Sequence, residues 1–384
     1  MYKLSANIDE IRNEVNIRME KSYVKLATVM KRAELGEELT IGFLGGSITQ
    51  GSLASSDVNT YAYLTYKWFC DTFPKANFHY VNAGIGGTSS HFGVARMHED
   101  VLMYRPDVLF IDFSVNDEPV SFFQETYEGV LRRAMKCPSH PALFILNNVN
   151  YETGINAQLY HNALAEYYGI PFASMKDTIW NRILAGDVTG QDISPDGLHP
   201  NDRGHALVSE EIVKVLEKIR QQAEAEPDGK TDEEELPAPL TDNAYENARL
   251  YTIRNLNPDL EGFKVDTQEK RGHLDTFKNG WMGVSKGDRL CVNLEADSIA
   301  IQYRKSPDGP VPIARLILDG DEKNVVILDG NFEEDWGDCL YIEPVLQHGK
   351  RGVHHIEIEI IDAPEEIKKP FYLLSFIVAN GEEI

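Results

Sequence analysis

Four short apolar runs punctuate the first part of the chain: LTIGFLGG (39–46), FHYVNA (78–83), DVLFIDFS (107–114) and ALFILNNV (142–149). Each has the length of a strand rather than a helix and is apolar along most of its length instead of alternating. That pattern predicts strands covered on both faces. The segments between them have helical spacing: 60–73, a stretch ending near Tyr104, 121–136, 156–169, 174–185, and a last one from about Asp202 to Gln222. Residues 7–35 carry apolar positions at the same spacing with no breaker inside, which predicts a leading helix. Alternation of this kind packs as a parallel sheet between layers of helices, so residues 1–222 read as an α/β domain.

The pattern changes at residues 223–241, AEAEPDGKTDEEELPAPLT, where seven acidic residues face one lysine and three prolines interrupt the chain. Such a composition predicts a solvated acidic linker. Beyond it, DRLCVNLEA, SIAIQYRK, IARLILDG, KNVVILDG, HHIEIEIID and FYLLSFIVANG read as short strands between turn residues. Alternation is clearest where Ile356, Ile358 and Ile360 point one way. Many strands with few helices predict that residues 242–384 form a β-sandwich.

A net charge of -24 sets up a field that repels nucleic acid and anionic lipid, so neither is expected as a partner. The four cysteines, Cys70, Cys137, Cys291 and Cys339, are far apart and show neither disulfide-framework nor zinc-ligand spacing. A reducing compartment suits them. The first residues, MYKLSANIDEIRNEVNIRMEK, are charged throughout and lack the apolar core of a secretory leader. No stretch has the length of a membrane span. The expectation is a cytoplasmic protein.

Chemistry-bearing residues sit where the predicted strands end. In IGFLGGSITQGS a buried strand runs into Gly45-Gly46 and then Ser47. Ligands of open α/β sheets bind at the carboxyl ends of strands, so the hydroxyl is well placed to react. A capping serine fits the same local pattern. In DGLHP, Asp196 and His199 are three apart and bracketed by Pro195 and Pro200, which makes the segment a loop. A carboxylate on one ring nitrogen fixes the histidine so that the other nitrogen takes the serine proton. Asp202 and His205 repeat the spacing, but His205 continues the stripe of Val208, Ile212, Leu216 and Ile219 on the last helix. It is therefore expected to pack against the sheet, which leaves His199 as the base. Acyl transfer also needs fixed donors for the carbonyl oxygen. Two turns offer them: GIGGTSS after FHYVNA, with free backbone N–H groups, and Val115-Asn116-Asp117 after DVLFIDFS.

Taken together, GGSIT, NAGIGGT, SVND and DGLHP resemble, in content and chain order, the blocks of the SGNH hydrolases, also called the GDSL family. The resemblance covers residues 39 to about 222. It implies a flavodoxin-like parallel sheet covered by helices, a nucleophile at Ser47, and an orienting acid and base at Asp196 and His199. The oxyanion hole it implies is formed by Ser47, Gly87 and Asn116, and the two-step acyl transfer needs no metal and no cofactor. Gly46 departs from the pattern, standing where the family often has Asp.

An SGNH domain followed by a β-sandwich, here expected to be jelly-roll-like, resembles carbohydrate esterases, including bacterial enzymes that deacetylate mannan oligosaccharides. The substrate expected from that resemblance is an O-acetylated oligosaccharide. Sugar rings stack on aromatic faces. The candidates are Tyr61, Trp281, Tyr303, Phe332 and above all Trp336, which lies among acidic residues between strands. Core packing is the competing role for each. Other readings of the same blocks are a lysophospholipase or thioesterase, a sugar O-acyltransferase, and an inert binding protein. The intact Ser47, Asn116, Asp196 and His199 argue against the last.

Overall fold

A computed structural model describes residues 23–225 and 236–379, in two compact units that divide between Asn243 and Ala244. The expected leading helix is described from residue 23, where it runs to residue 34; its earlier part lies outside the described residues. This helix is α1.

The first unit holds five strands: β1 (Glu38–Gly45), β2 (Asn77–Gly84), β3 (Val108–Asp112), β4 (Ala142–Asn147) and β5 (Phe172–Ser174). All pair in parallel, in the order β2-β1-β3-β4-β5. An aromatic row fixes their register. Phe43 lies opposite Phe110, which lies opposite Phe144. The first two rings stack at 4.8 Å and the next two meet at 5.1 Å. A one-residue slip would turn the whole row to the other face. The helices that follow are α2 (Ser47–Gln50), α3 (Tyr61–Thr72), α4 (Ser90–Asp100), α5 (Ser121–Met135), α6 (Gln158–Tyr168), α7 (Asn181–Leu184), α8 (Gly190–Ile193) and α9 (Asp202–Ala225). On α9 the stripe of Val208, Ile212, Leu216 and Ile219 is buried as its spacing predicts. Strand β5 is absent from the sequence reading because it is a three-residue edge strand. The helix expected over 174–185 is present over 176–184, as a π-helical segment at Lys176–Trp180 that continues directly into α7.

Residues 226–235 lie outside the described residues; residues 236–241 are half-buried or exposed, with their backbone held by hydrogen bonds to helix side chains of the first unit. Arg132 donates to the Pro237 carbonyl at 2.7 Å, Tyr167 to the Ala238 carbonyl at 2.8 Å, and Glu128 accepts from the Leu240 and Thr241 backbone N–H groups. Extended proline-rich backbone has no ladder partner, and two α5 side chains one turn apart, with Tyr167 of α6, supply the missing ones.

The second unit contains β6 (Arg249–Tyr251), β7 (Asp259–Glu261), β8 (Lys264–Val265), β9 (Trp281–Gly283), β10 (Arg289–Ala296), β11 (Ser298–Lys305), β12 (Ile313–Leu318), β13 (Val326–Asp329), β14 (Cys339–Leu346), β15 (Gly352–Asp362) and β16 (Phe371–Ala379). They form an antiparallel sheet ordered β13-β12-β15-β10-β7 and a second ordered β14-β11-β16-β9-β8, with β6 pairing β16. Ile356, Ile358 and Ile360 all face the core, as the alternation predicts. Strand β14 is illegible in the sequence because Pro344 interrupts it; it lies at a sheet edge, where a proline is tolerated.

Candidate active site

The strand order reverses between β1 and β3, and this is where the residues of interest converge. Neighbouring chains leave such a switch point in opposite directions, opening a crevice at the carboxyl ends. Ser47 follows β1, Gly87 follows β2 and Asn116 follows β3. DGLHP enters from the loop between α8 and α9.

Ser47 is the first residue of α2 and is nearly buried, 8% exposed. Its Oγ lies 2.8 Å from His199 Nε2, and His199 Nδ1 lies 2.7 Å from Asp196 Oδ2. The other Asp196 oxygen accepts the backbone N–H groups of Leu198 and His199, at 2.9 and 2.7 Å. Partial burial works against the Asp196 charge, but the hydrogen bonds from His199 and the loop backbone outweigh it and hold the carboxyl below its ordinary pKa. A carboxylate with both oxygens committed keeps the imidazole proton on Nδ1, leaving Nε2 to accept from Ser47. The loop is pinned in turn: the Gly197 carbonyl accepts from the Tyr151 and Glu152 N–H groups, at 2.7 and 3.2 Å.

Three donors follow the carboxyl ends of β1, β2 and β3. Gly87 adopts a left-handed backbone, φ 67°, which turns the chain between β2 and α4. Among the described residues, the N–H groups of Ser47 and Gly87 and the Asn116 side-chain amide meet no hydrogen-bond partner. The short helix is tied to its surroundings from two sides. Asn82 donates to the Thr49 carbonyl at 2.8 Å, and Gln50 Oε1 accepts the Gly86 N–H at 2.6 Å.

The glycine at position 46 has a steric reason. A Cβ there would stand 2.1 Å from Asn116 Oδ1, so a larger residue must push the Asn116 amide aside. On the sequence-based expectation that Asn116 donates to the oxyanion, Gly46→Ala should fold normally and lower kcat by about 10²–10³, the cost of one lost donor. Steady-state kinetics beside a melting curve check this.

The second Asp/His pair does different work. His205 is fully buried, accepts the Tyr61 backbone N–H on Nδ1 at 3.2 Å, and meets the Ser52 carbonyl through Nε2 at 3.3 Å. Burial pushes it down to about 4, so it is neutral. Asp202 instead holds Ser55 and Asn59.

Two expected sugar-stacking residues are corrected. Tyr61 is 1% exposed and spends its hydroxyl on Thr49, at 2.7 Å; Trp281 is also 1% exposed, edge-on to Phe376 in the sandwich core. Tyr303 is buried as well. None offers a face to a ligand. Trp336 does: it is 55% exposed, braced edge-on by Phe332 at 5.1 Å, with its indole N–H donating to Glu334.

Sequence reasoning missed a layer of polar residues beneath the site. Asp112, at the end of β3, accepts from Asn148 at 2.7 Å and from Ser114 at 3.3 Å. Burial pushes its carboxyl up to about 6. Its only sequence signal is an acid inside an apolar strand. Asp117 and His161, described below, belong to the same layer.

A doubly wound parallel sheet carrying a Ser–His–Asp chain and unused donors at its switch point has the form of an ester hydrolase site. The chain belongs to the GDSL-like lipase/acylhydrolase family, whose model matches residues 43–207. It is similar to a two-domain esterase active on acetylated mannans, known in two crystal structures. One, co-crystallized with mannopentaose, is 44% identical with a TM-score of 0.89, covering 94% of this chain and 95% of that one. The other is 44% identical with a TM-score of 0.90, covering 94% and 96%. No curated protein sequence matches significantly. The protein is a carboxylic ester hydrolase with an SGNH-like unit and a C-terminal β-sandwich. Among the described residues, no helix is long and apolar enough to cross a membrane.

Proposed function

We propose that this protein removes O-acetyl groups from oligosaccharides, with acetylated mannan fragments as the substrate class. The observation that carries the reading is the chain Asp196–His199–Ser47, with both contacts under 3 Å at the sheet's switch point. Ser47 Oγ bonds to the acetyl carbon as its proton passes to His199 Nε2. The carbonyl oxygen takes the charge and is met by the N–H groups of Ser47 and Gly87 and the amide of Asn116. Collapse breaks the bond to the sugar oxygen, which leaves with the proton from His199. Water then attacks the acetyl-Ser47 with His199 again as base, releasing acetate. The likeness, at 44% identity over both units, to an esterase active on acetylated mannans supports the choice of sugar.

The sandwich is read as an aid to sugar binding, with Trp336 as the stacking face. The four free cysteines support a cytoplasmic setting. Acetylated mannan oligosaccharides and a small aryl acetate, followed by mass spectrometry and acetate release, test the reading together. The enzyme should deacetylate the oligosaccharides without cleaving the sugar chain. Trp336→Ala should raise KM for the oligosaccharide about 3–10-fold, the worth of one aromatic stacking contact, and leave the aryl acetate unchanged. Hydrolysis of the aryl acetate with no release from any acetylated sugar would rule out the carbohydrate assignment.

A further inference from the structure

Next to Asn116 in the chain, Asp117 is buried and makes two contacts that the proposed chemistry does not use. Its Oδ1 accepts the Ser90 backbone N–H at 2.8 Å, and its Oδ2 lies 3.1 Å from His161 Nε2. Both side chains of the Asp117–His161 pair are 0% exposed. His161 comes from α6, distant in sequence, and its ring lies flat on Tyr127 at 3.6 Å and 7°. Its Nδ1 meets no partner among the described residues, so the ring proton belongs on Nε2, where Asp117 accepts it.

Burying a carboxylate and an imidazole is costly unless the arrangement is well satisfied, and an apolar pair would stabilise a core at least as well. What this pair does is geometric. Ser90 opens α4, and the residue before it, Ser89, makes no side-chain cap. Asp117 supplies the missing acceptor from another strand end, at a helix terminus that favours negative charge. The chain between Gly87 and that anchor is two residues long. On its other side Asp117 follows Asn116 directly, and the backbone N–H groups of both residues donate to the Phe113 carbonyl, at 3.0 and 2.8 Å. A single carboxylate thus ties the turn that carries Gly87 to the turn that carries Asn116. The Ser90 hydroxyl, bonded to Thr126 at 2.6 Å, braces the same junction against α5.

We infer that Asp117 and His161 form a buried positioning pair that sets the Gly87 and Asn116 donors relative to each other. The inference rests on the oxyanion roles proposed above. His161 fixes the Asp117 rotamer, and Asp117 fixes both turns. Neither touches the reacting atoms.

The test uses the full chain with a small acetyl ester and a boronate that adopts tetrahedral geometry on the active serine. His161→Phe keeps the ring on Tyr127 and removes the donor; His161→Gln restores an N–H that can reach Asp117. His161→Phe should lower kcat about 10–100-fold, the cost of misplacing groups by a fraction of an ångström to an ångström, with KM within about threefold. Boronate affinity should fall by a similar factor, and His161→Gln should recover most of both. Should His161→Phe fail to fold, the isosteric Asp117→Asn, which cannot accept from both Ser90 and His161, is read in the same way. A folded variant with kcat within about twofold of wild type overturns the inference. So does a kcat loss that His161→Gln leaves uncorrected while boronate binding stays at wild-type strength. Ser47→Ala, run alongside, separates the two ideas: if it retains turnover, the catalytic reading has failed, whereas an inactive Ser47→Ala beside a fully active His161→Phe removes the positioning pair alone.

Discussion

Ser47→Ala is expected to abolish ester hydrolysis, lowering kcat by about 10⁶ as triad losses do, and to leave the melting temperature within a few degrees of wild type. The size of the effect follows from the division of labour at the site. Removing the Oγ removes the atom that forms the acyl bond, so His199 and Asp196 have nothing left to activate. The residual rate comes only from the donors around the carbonyl oxygen. Stability should be spared because, among the described residues, the Ser47 hydroxyl hydrogen-bonds only to His199, while Thr49 and Gln50 hold the short helix in place. A serine-reactive phosphonate should label wild type stoichiometrically and the variant not at all. Near-wild-type turnover by Ser47→Ala would falsify the nucleophile assignment.

His199→Ala is expected to be as damaging as Ser47→Ala, and Asp196→Asn to cost up to about 10⁴ in kcat through the wrong imidazole tautomer. His205→Ala behaves differently. It removes the acceptor of the Tyr61 N–H and leaves a hole beneath α3, so it should cost about 2–4 kcal/mol of stability while turnover at low temperature survives. The two histidines are thus told apart by one pair of measurements, kcat and Tm, on each variant. An inactive but fully stable His205→Ala beside an active His199→Ala would reverse the assignment.

The different settings of those two histidines were legible because the two segments differ in period. His205 falls on a helical stripe whose other members are large and apolar. His199 sits between prolines, where no helix continues. Similarly, β1 to β4 were legible as continuous apolar runs, and the strands around Ile356 as an alternating one. Short or interrupted strands were not: β5 has three residues, and β14 contains Pro344. Aromatic residues misled for a different reason. Tyr61 and Trp281 have the same chemistry whether they line a groove or fill a core, and only burial distinguishes the two roles. Trp336 could be picked out because acidic neighbours keep its segment at the surface.

Local sequence was enough to mark the residues that meet at the candidate site, because acyl-transfer chemistry requires particular side chains at strand ends and turns, and both have short-range signatures. Their assembly was decided by the tertiary structure. Ser47 and His199 are 152 residues apart, and they meet because β1 lies between β2 and β3 at the point where the strand order reverses. The polar layer beneath them was likewise invisible. Asp112 with Asn148, and Asp117 with His161, join residues 36 and 44 positions apart. Neither pairing has a period or a spacing, since what selects it is the need of each buried polar atom for a partner in three dimensions. That need exists only once the sheet has closed over it.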